Sequence, residues 1–348
     1  MVRETFFTKD ILAEKLRNRD PALFEKANSL TKKLFKNKVF IRGIIEPTNN
    51  CGKDCFYCAI RKSRSISRYC MTKEEVLNAA IWAFKNGFGS IVIQSGENNS
   101  QEMTDYYISV VREIKKKTNL GITLCLGELP KAAYEALFKA GAHRYLLRIE
   151  TSSSSLYKKI HPQDHSFEAR LKCLYDLRSI GYQVGTGVLI GLPFQTYEDL
   201  AQDLLFYKEM DIDMIGMGPY IPHEETPLYK LIDKIIIKDA FETSLKMIAL
   251  SRLMLEDVNI AATTALDILD DHGREKALLA GANVIMPIVT PQKYRKDYKL
   301  YENSSLNYKD PFQCLKTLEE RLKKINKKIA YNSWGDPLHF QRRKICHR

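Results

Sequence analysis

The chain has 348 residues, 45% of them hydrophobic and 28% charged, which excludes global disorder and supplies enough apolar surface for a substantial core. Its formal net charge of +12 invites a nucleic-acid partner, but the cations are dispersed, as at Lys115 to Lys117, Lys323 and Lys324, and Arg342 to Lys344. No basic stripe interleaved with aromatics is present, so the charge reads as solvated helix faces and weighs against nucleic acid.

Residues 8 to 36 carry apolar residues at helical spacing in two segments, the second opened by Asp20 and Pro21 as N-cap and first-turn residue. This pair is expected to flank a larger domain or cap its base. The opening stretch mixes Glu4, Asp10 and Glu14 with its apolar residues, unlike a secretory or transit segment, and no apolar run is long enough to span a bilayer. The run Val39 to Glu46 reads as a buried strand. Thr72 with Glu75 forms a capping box for a helix running to Asn86 and Gly87.

From there strand and helix patterns alternate. Strands are expected at Ser90 to Gly96, Gly121 to Gly127, His143 to Glu150, Tyr182 to Gly191, Asp213 to Tyr220, Asn259 to Ala265 and Ala282 to Ile288. Helices are expected at Tyr106 to Lys117, Pro130 to Ala140, a long stretch ending at Ile180, Tyr197 to Met210, Ala240 to Leu255 and Gly273 to Ala280. Eight strand-helix units predict an α/β fold, a complete (βα)8 TIM barrel, and one barrel of this type absorbs a chain of roughly 200 to 400 residues. The expected division is an N-terminal helical extension over 1–37, the barrel over 38–290 and a C-terminal extension over 291–348 that closes the barrel. Within that extension, residues 290 to 311 should cross a barrel face, Pro311 to Lys327 should form a closing helix, and the tail from Tyr331 should be weakly ordered.

Just past the first strand lies CGKDCFYC, with Cys51, Cys55 and Cys58 in CxxxCxxC spacing. Three thiols in so short a loop suit a shared metal better than disulfides. A structural zinc site closes with a fourth ligand, so a three-ligand set points to an iron-sulfur cubane with one open iron. The competing reading is a zinc knuckle completed by His143 or Cys125. Thiolate ligands need reducing conditions, which places the protein in the cytoplasm, of an anaerobe if the cluster reading holds.

The octapeptide resembles the signature of the radical SAM enzymes. That resemblance implies a 4Fe-4S cluster on Cys51, Cys55 and Cys58, with S-adenosylmethionine chelating the open iron and Tyr57 lying over its adenine. Ser95, Gly96 and Glu97 resemble the family's GGE-type motif that holds the SAM amino group, Glu150 matches a SAM-contacting glutamate, and Arg170 matches the arginine that pairs with the SAM carboxylate. An arginine fork suits a carboxylate because two parallel hydrogen bonds form. The plainer alternatives are a strand-to-helix turn at Ser95 to Glu97 and a surface pair of Arg170 with Glu168 or Asp176.

Inward-facing positions at strand ends are where a parallel barrel keeps its chemistry. Arg42, Thr123, Arg148, Thr263 and Thr264 are expected to surround a small anionic ligand, with Tyr294 covering it. Beyond the cysteines, QSGE (Gln94 to Glu97), LGE (Leu126 to Glu128), RYLLR (Arg144 to Arg148), SFEARL, GLPFQT, GPYIPHEETPL (Gly218 to Leu228), ATTA and GANVIMP are similar to the HydE family of iron-only hydrogenase maturases, from about Phe40 to Pro291. That resemblance implies a small-molecule substrate, organometallic in HydE (an iron complex with cysteine, carbonyl and cyanide ligands), together with a reducing electron donor and sister maturases. Biotin synthase and methylornithine synthase share the fold, so an amino-acid mutase is the alternative enzyme, and a zinc-binding basic protein the alternative from another class. The resemblance departs at Ile149, where family members often carry His, and near the C-terminus, where some members hold a second cluster on three cysteines but only Cys314 and the distant Cys346 remain here, so no second cluster is expected. Cys70, Cys125 and Cys173 read as structural. A barrel that closes its own sheet is expected to be a monomer.

Overall fold

A computed structural model of the chain describes residues 7–298, 300 and 311–346, with side chains left out at 311–314 and 345–346. Its centre is a ring of eight parallel strands: Lys38–Ile45, Ser90–Gln94, Gly121–Cys125, Arg144–Leu146, Gln183–Thr186, Met214–Ile215, Asn259–Ala262 and Val284–Ile285. Each pairs with the next, and the ring closes where Phe40 and Ile41 of the first strand lie beside Val284 and Ile285 of the eighth. The fold is therefore the complete (βα)8 barrel expected from the alternation of patterns.

Local chemistry sets the helix starts. Thr72 accepts the Glu75 N–H at 3.2 Å while the Glu75 carboxylate accepts the Thr72 N–H at 2.8 Å, so Lys73–Lys85 begins with two of its orphan donors satisfied. Asp20 accepts from Ala22 at 3.1 Å ahead of Pro21–Phe35. The long helical stretch before the fifth strand is two helices, Ser154–Ile160 and Phe167–Ile180. Between them lies Pro162, which supplies no N–H to a continuing ladder.

The N-terminal helices take the flank, one of the two places expected, while the tail differs from expectation. The N-terminal helices Lys9–Arg17 and Pro21–Phe35 lie on the barrel flank, against Tyr197–Glu209 and Ala240–Leu255. The base is sealed by the tail. Residues from Tyr331 were expected to be weakly ordered, yet Asn332 donates to Gly87 O at 2.7 Å, Gly335 O accepts from Asn259 Nδ2 at 2.8 Å, and Leu338–Cys346 is helical. Gly335 has φ of 63° and a Cβ there would lie 2.6 Å from Phe40, so only glycine passes this close to the first strand. No helix among the described residues is long and apolar enough to cross a membrane.

Candidate active site

A cavity of about 340 Å³ opens at the carboxyl ends of the strands. Cys51, Cys55, Tyr57 and Cys58 line it, as do Ser95, Gly96, Glu97, Glu150, Arg170, Arg148, Thr263 and Thr264. Residues named from five separate stretches of sequence therefore share one chamber.

The cysteine loop is held by backbone clamps. Arg68 donates to the carbonyls of Asn49, Ile60, Arg61 and Arg64 at 2.6 to 3.1 Å. Asp54 is locked by Arg61 at 2.6 Å, and its N–H is accepted by His165 Nε2 at 3.2 Å while His165 Nδ1 donates to Asp164 at 2.8 Å. Tyr57 donates its hydroxyl to His161 Nε2 at 3.3 Å, and His161 Nδ1 donates to Tyr157 O at 3.0 Å. Burial pushes His161 down to about 3, so it stays neutral and keeps this donor-acceptor order.

Gly96 brings the second strand's loop onto the cysteines. A Cβ there would sit 2.2 Å from Asn50 O and 2.9 Å from Cys51 Cβ. The close approach allows Glu97 N–H to point at Cys51 Sγ, 3.4 Å away, and Gly52 N–H to donate to Glu97 O at 2.7 Å. Burial raises the thiol pKa of all three cysteines, Cys58 to about 12, and repulsion among the sulfurs adds to it for Cys55 and Cys58. Thiols held protonated in this way bind a metal only with loss of the proton, so any metal affinity here is pH-dependent. Three clustered sulfurs, a backbone donor aimed at one of them and a neighbouring chamber fit an iron-sulfur cluster with an open corner. His143, considered as a fourth zinc ligand, instead stacks on Trp334 at the barrel base, 3.9 Å from Asp336.

Four charges organise the wall beside the sulfurs. Lys53 Nζ lies 3.3 Å from Glu97 and 2.8 Å from Glu128; Arg170 lies 2.8 Å from Glu128 and 3.7 Å from Glu97. Burial pushes the Glu97 carboxyl up and Arg170 and Lys53 pull it back; burial works against the Arg170 charge, but Glu97 and Glu128 hold it protonated. Gly127, φ of 80°, leaves room for the Glu97 carboxylate, which a Cβ would meet at 2.1 Å. Glu150 has φ of 65°, a strained value for a non-glycine residue, pinned by bonds from Glu150 N–H to Gly187 O and from Leu189 N–H to Glu150 O, both 3.0 Å. Its carboxylate lies 3.1 Å from Arg148. The surface-pair alternative for Arg170 is thus excluded, since that side chain is 7% exposed and faces the chamber.

Three expected residues lie elsewhere. Arg42 and Thr123 sit low on their strands with Arg144, Gln183 and Asp213, where Arg42 donates to Gly335 O at 3.1 Å. They belong to the barrel floor because the chamber begins above them. Tyr294 stacks on Tyr69 and donates to Glu75 at 2.9 Å on the outer rim; Tyr298, one turn later, lines the chamber instead. Lys53, Glu128, Glu46, Gln94 and Tyr298 were not singled out from sequence. Glu128, in the quoted LGE, was open to identification as a carboxylate just past the third strand; Lys53 had a signal only in its place between two cysteines. Cys314 and Cys346, on which the expectation of no second cluster turns, lie outside the described side chains.

The family model of the radical SAM superfamily matches residues 45–207. The FeFe hydrogenase maturase subunit HydE of Thermotoga maritima is 43% identical over 334 residues, 94% of this chain and 93% of that protein. The 3-methylornithine synthase of Methanosarcina barkeri is 27% identical, covering 88% of this chain and 85% of its own. The crystal structure of methylornithine synthase (PylB) superposes with a TM-score of 0.80 at 25% identity, covering 94% of this chain and 95% of that one.

Proposed function

The chain belongs to the HydE family of radical SAM enzymes, and from that membership we propose that it uses S-adenosylmethionine to process a small-molecule iron precursor for an iron-only hydrogenase. One observation carries the reading: the three thiols share one chamber inside a closed barrel with Lys53, Glu97 and Arg170, and Glu128 ties the two cations together behind it. Cys51, Cys55 and Cys58 would hold a 4Fe-4S cluster, which when bound would supply the electron for reductive cleavage of the SAM sulfonium.

The protein's part is binding, orientation and exclusion of water. Glu97 and Arg170 are the acceptor and donor for an amino acid's ammonium and carboxylate, and Lys53 and Glu128 keep both charged in its absence. Tyr57, oriented by His161, presents an aromatic wall. Ile44, Leu146, Leu147, Leu189, Met286 and Ile288 supply apolar walls that keep bulk water from a reactive species. Arg148, Thr263 and Thr264 line the remaining polar surface, where the substrate is to lie. The enzyme works as a cytoplasmic monomer beside its sister maturases and takes its electron from a reducing donor.

Anaerobic reconstitution followed by iron, sulfide and 5'-deoxyadenosine measurement tests the radical chemistry. Wild type should yield a brown protein that cleaves SAM and restores a hydrogenase maturation mixture lacking this component, while Cys55→Ala should do neither. A colourless zinc protein would sink the radical reading. Conversion of a free amino acid, with no effect in the maturation mixture, would move the protein to the mutase side.

A further inference from the structure

We propose that Glu46 is the residue that recognises a cationic nitrogen on the substrate, so that the chamber selects small molecules bearing an ammonium group. The proposal rests on the radical SAM reading of the chamber and specifies what enters it.

Glu46 directly follows the first strand, 5% exposed, and lines the chamber beside Ile44, Met286 and Ile288. The other chamber carboxylates each have a cation in contact: Glu97 has Lys53 and Arg170, and Glu150 has Arg148. Among the described residues Glu46 has no such ion pair. Thr290 holds it in place, accepting the Glu46 N–H at 3.0 Å and donating to Oε2 at 3.1 Å. Arg295 is engaged with the carbonyl of Thr290 at 2.6 Å and acts on the carboxyl only through its field.

A carboxyl kept on an apolar wall without a cation is costly when ionised. Burial pushes it up to about 7, against the pull of Thr290 and Arg295, with the phenols of Tyr69 and Tyr298 also near it. At neutral pH it therefore stands where an incoming ammonium fixes it as carboxylate, and the desolvation already spent on folding becomes binding selectivity. Arg148 lies three strands round the ring, so a ligand spanning the chamber meets a carboxylate on one side and a guanidinium on the other. That polarity suits a zwitterionic, amino-acid-like body. An anion without the amine finds only the cationic side.

The test uses reconstituted enzyme with SAM bound and two probes, S-methyl-L-cysteine and its desamino analogue 3-(methylthio)propanoate, with affinity read by calorimetry. Wild type should prefer the amine by at least tenfold. Glu46→Gln, which keeps an acceptor for Thr290, should reduce that preference to less than threefold while moving the desamino affinity little. Glu46→Asp, which keeps the charge, should fall between them. Equal affinities in wild type, binding of neither probe, or full preference in Glu46→Gln would overturn the assignment. Dithionite-driven 5'-deoxyadenosine release from wild type separates the two failures: its absence defeats the radical SAM reading, and its presence with no amine preference defeats only the role of Glu46.

Discussion

Replacing Asp336 with Asn isolates what the C-terminal tail does at the barrel base. Arg144 is 2% exposed there, and its Nε donates to Asp336 Oδ1 at 3.1 Å while Nη2 reaches the same carboxylate and Trp334 O, the latter at 2.8 Å. Gln183 Nε2 donates to Asp336 at 2.9 Å, and the equally buried Arg42 guanidinium feels the charge of both. Asn keeps the shape and removes the charge, leaving buried guanidiniums without a neutralising carboxylate. Breaking one side of a fully buried pair costs about 3–5 kcal/mol, and the 26% exposure of the Asp336 side chain sets the expectation at the lower end, whereas replacing both partners with apolar groups costs little. Asp336→Asn should therefore destabilise by an amount in that range, and adding Arg144→Met should recover most of it. Denaturant unfolding of the four apo-proteins followed by circular dichroism measures the cycle, and limited proteolysis should release the 331–346 segment earlier from the single variant. Burial would raise the Asp336 carboxyl, but Arg144 outweighs it and the net shift is downward. A depressed carboxyl gives stability that is present above its ordinary value of 3.8 and lost as pH falls through the folded value, so the gap between wild type and variant should close in acid. A variant within about 0.5 kcal/mol of wild type, the size of an ordinary surface substitution, or a cycle with no coupling would refute this account.

Gly127→Ala adds a Cβ 2.1 Å from the Glu97 carboxylate at φ of 80°. The backbone strain should cost roughly 1–2 kcal/mol, and displacement of Glu97 should raise the SAM concentration needed for cleavage by about tenfold, about 1.4 kcal/mol; unchanged SAM affinity by equilibrium dialysis would count against Glu97 as its ligand. Asp203 is fully buried, and burial pushes its carboxyl from 3.8 up to about 7 against the Ser152 N–H and hydroxyl, both 2.6 Å from Oδ1. Because the folded form binds the proton more tightly, wild type should lose stability as pH rises from about 4 to about 7. Asp203→Asn keeps an acceptor for Ser152 and should flatten that slope, gaining on the order of 2–4 kcal/mol relative to wild type between pH 5 and pH 8; parallel pH profiles in urea unfolding would exclude the mechanism.

Periodicity and spacing are local properties, and they were enough for the eight strands, the capping box at Thr72 and Glu75, and the thiols at Cys51, Cys55 and Cys58. Position at strand ends also carried Glu97, Glu150, Arg148, Thr263 and Thr264 to the chamber. Alternation along a strand says which face a side chain takes, but its height depends on register against the neighbouring strands, a long-range property. Arg42 pairs level with Ser90 and Thr123 level with Arg144, which puts them on the floor, while Glu46, just past the end of the strand that carries Arg42, reaches the chamber. The contacts that complete the site join residues far apart in sequence. Thr290 meets Glu46 across 244 residues, Lys53 meets Glu128 across 75, and Asp336 meets Arg144 across 192. No local pattern announces those pairs, because burial inside a closed ring selects each partner only after the ring exists.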